Sequence, residues 1–96
     1  MRAIPIMQSF GHPVCFDATH SVQLPGGRGD SSGGERAFIP TLAKSAVAAG
    51  ADCIFMEAHN NPKEAKSDKE SVLDFKEIPR LLETLVAIHG VVSRDR

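Results

Sequence analysis

The sequence has no long hydrophobic run, almost no net charge and only two cysteines, and each shortage excludes a class of protein. No apolar stretch approaches the roughly 18 residues needed to span a bilayer, so a membrane span is not expected. A formal net charge of −1 offers no basic field for nucleic acid or anionic lipid, so neither partner is expected. Cys15 and Cys53 lie in separate apolar runs rather than at ligand spacing, which argues against a disulfide framework or a zinc knuckle. They are expected to be reduced thiols acting as small apolar core residues. The N-terminal MRAIPIMQSF lacks the apolar core of a secretory signal, and a cytoplasmic location is the expectation. With 96 residues, the chain holds at most one small domain, residues 1–96.

Two short apolar runs stand out, residues 14–18 (VCFDA) and 52–56 (DCIFM). Each reads as a strand buried on both faces. Between them, Ser32 and Glu35 have the S-x-x-E form of a capping box, and Phe38, Leu42, Ala46 and Ala49 follow at helical spacing. The pattern predicts a helix over 35–49, with Gly50 as a left-handed stop. A second helix is expected after Asp74, where Glu77 completes another capping pattern and Pro79 fits the first turn. Ile78, Leu81, Leu82, Leu85 and Ile88 mark its apolar face, Gly90 its end, and residues 91–96 a frayed tail.

The order strand, loop, helix, strand, loop, helix implies parallel α/β architecture. Two strands cannot by themselves make a sheet covered on both faces, so the pattern looks like a piece of a larger α/β fold.

In parallel α/β folds ligands bind at the carboxyl ends of strands. Asp17 and His20 lie at the end of the first run, Glu57 and His59 at the end of the second. Imidazole with one or two carboxylates suits a divalent transition metal such as zinc, iron or manganese. His20 reads equally well as a loop histidine bonded to backbone, and Asp17 as a structural acceptor or as a residue that orients a ligand. Glu57 follows Ile54-Phe55-Met56 directly, where an acid is costly to bury unpaired. Asp68 sits among Lys66, Lys69 and Glu70, the composition of a solvated loop. His12, His59 and His89 read as structural or exposed. The glycine-rich loop 24–34 can bring backbone NH groups to an anion, yet it matches neither the Walker nor the dinucleotide pattern.

Taken together, FDATHSVQLPGG, GDSSGGER, FMEAH and AKSD, in that order, resemble the C-terminal third of the 3-deoxy-D-manno-octulosonate 8-phosphate (KDO-8-phosphate) synthase family. The resemblance runs from Met1 to about Val92. It implies an α/β fold consisting of the last two β/α units of a (β/α)8 TIM barrel, incomplete as given because a full barrel needs about 250 residues. It also implies a homotetramer in the complete form, and condensation of phosphoenolpyruvate with D-arabinose 5-phosphate. On the family pattern, His20, Glu57 and Asp68 bind a divalent metal together with a cysteine from the first barrel strand, for which Cys15 and Cys53 are no substitute. Gln23 matches a position near phosphoenolpyruvate, and Ser32 one on the loop over the sugar phosphate. The chain departs from the family at His59-Asn60-Asn61-Pro62, where H-P-x-P is usual, and at Val72-Leu73-Asp74-Phe75, where L-P-L is common. Alone, the chain is not expected to catalyse the family reaction. A truncated, inactive metal-binding or assembly fragment is the alternative.

Overall fold

The computed structural model describes residues 1–22, 36–59 and 73–94. The capping box at Ser32 and the loop 24–34 lie outside them. In chain order the elements are helix α1 (Ala3–Gln8), strand β1 (Cys15–Asp17), helix α2 (Ile39–Ala48), strands β2 (Cys53–Phe55), β3 (Ala58–His59) and β4 (Leu73–Asp74), and helix α3 (Ile78–Ser93). β1 pairs in parallel with β2, in the register Cys15 to Cys53, Phe16 to Ile54 and Asp17 to Phe55. β3 pairs in parallel with β4 as a second two-stranded ladder. The sequence pattern did not foretell α1 or the β3–β4 pair, whose members are each two residues long.

A polar clasp fixes where β1 and β2 begin. The Asp52 carboxylate accepts from the Val14 NH (2.7 Å) and from the Gln8 side-chain amide (2.9 Å), and that amide also donates to the Gly50 carbonyl (2.7 Å). The NH of Asp52 donates in return to the Val14 carbonyl at 3.0 Å. One carboxylate thus joins the end of α1 to the start of both strands.

Side chains alternate across a strand, so Phe16 and Ile54 share one face while Cys15, Asp17, Cys53 and Phe55 share the other. Both helices cover the first face. Ile39, Ala43 and Val47 of α2 pack with Leu81 and Leu85 of α3, with Leu73 and Ala18, and against Phe16 and Ile54. A smaller cluster of Ile4, Val14, Ala46 and Ala51 seats α1. The other face is open, and Phe55 is 46% exposed. This corrects the expectation of strands buried on both faces. Cys15 and Cys53 are exposed as well, not core residues, because they point away from the helices.

The helices start and stop for local reasons. Residues 36–38 form a 3₁₀ turn before α2, and the buried stripe is Ile39, Ala43, Ala46 and Val47. It lies one residue on from the expected one for much of its length, leaving Phe38 exposed. Gly50, at φ 100°, ends α2 as expected: its NH bonds the Val47 carbonyl and the Ala51 NH bonds the Ala46 carbonyl, both at 3.0 Å. The Asp74–Glu77 capping box is present at the approach to α3. Leu81 and Leu85 are buried, but Leu82 faces outward.

α3 does not stop at Gly90. It continues to Ser93, so the first three residues of the expected frayed tail are helical. Gly90 has a helical rather than a left-handed backbone, and a Cβ there meets no atom within 4 Å. A glycine inside a helix costs roughly 0.5–1 kcal/mol relative to alanine. Gly90→Ala is therefore expected to stabilise the chain by about that amount in urea unfolding. A loss of stability would show that α3 ends near residue 90 in solution.

Candidate functional site

β1 ends at an acid because that acid builds the turn that follows. One oxygen of Asp17, Oδ1, accepts the NH groups of Thr19 (3.0 Å) and His20 (2.9 Å), satisfying two donors that the strand no longer pairs. The chain enters a 3₁₀ turn at His20–Val22. The second oxygen, Oδ2, accepts from His20 Nδ1 at 2.7 Å and fixes the imidazole's direction. Asp17 is therefore the structural acceptor of the turn, and its second oxygen also holds the His20 ring.

The neighbouring strand brings its own acid to the same place. Thr19 is wholly buried, and its hydroxyl accepts the Glu57 NH at 2.7 Å. Together with the Ala18 NH on the Phe55 carbonyl at 2.9 Å, this continues the β1–β2 junction beyond the strands themselves. His20 Nε2 then lies 3.3 Å from Glu57 Oε1. The His20 ring also lies nearly parallel to that of Phe55, with centroids 6.3 Å apart and planes at 23°. The His20 and Glu57 side chains are 39% and 38% exposed, reachable from solvent on the open side of the sheet.

Of the residues singled out in the sequence, the structure brings together His20, Glu57 and Asp17. Asp68, Gln23 and Ser32 lie outside the described residues. His59 is half-buried in β3, while His12 is exposed and the exposed His89 meets the Ser93 hydroxyl at 3.2 Å. Thr19 was missed, although a threonine between an apolar strand and a histidine is a signal of a buried hydroxyl with a partner to satisfy. Among the described residues no group of three or more His, Cys, Asp or Glu is close enough to hold a metal ion; His20 and Glu57 provide two donors. No described helix is long and apolar enough to cross a membrane.

Residues 1–93 match the model of the DAHP synthetase I family. The chain belongs to that family. Within the DAHP synthetase I family it is 60% identical over 95 residues to the 2-dehydro-3-deoxyphosphooctonate aldolase (KDO-8-phosphate synthase) of Protochlamydia amoebophila, covering 99% of this chain and 34% of that protein. It is 54% identical over 92 residues to the enzyme of the same name from Trichlorobacter lovleyi, covering 96% and 34%. The chain spans about a third of the length of the curated relatives it matches. A crystal structure of the DAHP synthase of Thermotoga maritima superposes with a TM-score of 0.77 at 28% identity, over 94% of this chain and 24% of that one. A truncated form of the Thermotoga enzyme gives the same score and identity over 30% of its length. These neighbours are TIM barrels of the DAHP-synthase type, and the family named by the sequence motifs is the one its curated relatives carry.

Partial burial pushes the Asp17 carboxyl up, but the NH and imidazole of His20 and the NH of Thr19 outweigh it and hold the group below its ordinary value of 3.8. A carboxyl depressed in the folded state contributes stability above about its unfolded pKa and loses it as the pH falls through the folded one. In Asp17→Asn, urea unfolding is expected to depend less on pH below about 4 than in the parent chain. Equal acid dependence in the two proteins would show that Asp17 makes no such contribution.

Proposed function

We propose that the chain is the C-terminal portion of a KDO-8-phosphate synthase, comprising the last two β/α units of its (β/α)8 barrel. In the complete barrel it takes part in condensing phosphoenolpyruvate with D-arabinose 5-phosphate, giving KDO 8-phosphate and inorganic phosphate. The observation that carries this reading is the meeting of His20 and Glu57 at the carboxyl ends of two adjacent parallel strands, where TIM barrels place their active sites. The 60% identity to the Protochlamydia aldolase supplies the choice of reaction.

The pair has the chemistry of a cation site. His20 Nδ1 donates to the Asp17 carboxylate, so in the neutral ring Nε2 presents a lone pair toward Glu57. A lone pair and a carboxylate oxygen 3.3 Å apart repel unless a proton or a metal ion accompanies them. Zinc, iron or manganese suits this donor set, with Asp68 as a further oxygen ligand on the family pattern. When bound, such an ion orients or polarises the sugar aldehyde or the attacking water. His20 and Glu57 hold it, and Asp17 keeps the imidazole aimed. On the family pattern, Gln23 matches a position near phosphoenolpyruvate and Ser32 one on the loop over the sugar phosphate. The complete enzyme is a cytoplasmic homotetramer in this reading.

A second reading, a non-catalytic metal-binding or assembly fragment, is favoured by the open sheet face at Phe55 and by Phe10, which is 75% exposed. Both readings are tested by joining the chain to the remaining two thirds of the Protochlamydia relative and assaying phosphate release from the two substrates. The expected result is turnover by the joined barrel, a loss of about 100-fold or more on His20→Ala or Glu57→Ala, and none from the chain alone. Undiminished turnover in both variants would remove their assigned roles. A folded but inactive barrel would favour the second reading.

A further inference from the structure

Three cations surround a cavity between α2 and α3. Lys44 lies in the second turn of α2, Lys76 in the 3₁₀ turn before α3, and Arg80 in the first turn of α3. With Pro40, Leu81 and Thr84 they line a hollow of about 320 Å³. Glu77 is on its wall too, but its carboxylate accepts the Asp74 NH at 3.3 Å within the capping box. Among the described residues none of the three cations has a carboxylate within 4.0 Å, and the ion pairs there are the two that His20 makes. The Thr84 hydroxyl gives its proton to the Arg80 carbonyl at 3.2 Å, so the side-chain donors left for the cavity are the cations. Like charges held around a hollow without a counter-charge repel, and apolar walls such as Pro40 and Leu81 strengthen the field between them. The chain as a whole has a formal charge of −1, so this positive field is local.

We infer that the groove between α2 and α3 binds a small phosphate-bearing anion, held by Lys44, Lys76 and Arg80. A dianionic phosphate suits the three, because the planar guanidinium grips two of its oxygens while the ammonium groups act as point charges. The volume lies at the lower end of the range of about 300–1,000 Å³ for ligand pockets, which fits free phosphate or a short phosphate ester. Neither His20 nor Glu57 lines the groove, so it is separate from their site. Its described walls come from α2, α3 and the turn before α3, with no strand residue among them. Access in the complete protein rests on the proposed barrel, where α2 and α3 are consecutive helices of the outer ring. The other six units then adjoin their far flanks, and none comes between them.

The test follows assigned amide resonances of the full chain during titration with inorganic phosphate and, separately, with glycerol 3-phosphate, sodium chloride holding the ionic strength constant. The expected result is saturable shifts centred on Lys44, Lys76 and Arg80. Affinity is expected to fall about tenfold in Lys44→Gln and in Arg80→Gln, and to be unchanged in Arg94→Gln, which removes an exposed charge outside the groove. Tighter binding of the ester would identify a phosphorylated metabolite as the occupant, and equal binding the free ion; both uphold the site. Equal weakening in all three variants, shifts that do not saturate, or shifts centred on His20 and Glu57 would overturn the inference. Equilibrium dialysis of the joined barrel reads the site without turnover, and Arg80→Gln is expected to remove the phosphate held there. No loss would show the groove covered in the complete protein and overturn the inference, whereas an inactive barrel that still loses this phosphate would count against the proposed reaction alone.

Discussion

The parallel junction of β1 on β2 is the constraint on which the rest depends. Only three residue pairs lie in register, so the ladder is short and is held at both ends by side chains. At its start the Asp52 carboxylate takes the Val14 NH and the Gln8 amide. At its end the buried Thr19 hydroxyl takes the Glu57 NH. Hydrogen bonds of this kind contribute about 0.5–1.5 kcal/mol each, and their larger effect is on register. A slip of β1 by one residue would turn Phe16 away from the helices and put Cys15 and Asp17 against them. With the register fixed, His20 and Glu57 arrive side by side from segments 37 residues apart in sequence.

The two sides of this small sheet have different work. One side carries Phe16 and Ile54 and is sealed by α2 and α3, which pack together around Ala43. The other carries Cys15, Asp17, Cys53 and Phe55, and leads at its carboxyl end to His20 and Glu57. In a TIM barrel the helices form the outer ring and the opposite strand face turns inward, where layers of side chains fill the barrel. On the proposed reading the open face of this chain is that inward side, and a strand pattern that reads as buried in sequence is then half exposed because the chain is about a third as long as its relatives.

Much of the fold was legible because its signals are local. The apolar runs gave both principal strands to within a residue or two, Gly50 gave the end of α2, and Asp74 with Glu77 marked the approach to α3. The rest depends on partners that no local pattern encodes. α1 is six residues long and is held by Ile4 in the core and Gln8 on Asp52 rather than by propensity. β3 and β4 exist only through each other. Gly90 reads as a stop in sequence, yet glycine ends a helix in this way only where the backbone turns left-handed, and here it does not. The cysteines read as core residues because apolar runs do not reveal which face a partner will cover. In the site, the positions just past the strands pointed to His20 and Glu57, but Asp17's double role and Thr19's bond across the junction required the three-dimensional register.

The central claim is that His20 and Glu57 form one cation site at the mouth of the strand pair. The most direct measurement is paramagnetic broadening of assigned amide resonances by manganese(II), an ion that favours oxygen and nitrogen over thiol donors. The account predicts that manganese(II) broadens Thr19, His20, Glu57 and Ala58 more strongly than Cys15 and Cys53, with the effect lost in His20→Ala and in Glu57→Ala. Broadening centred elsewhere, or broadening that survives both substitutions, would contradict it.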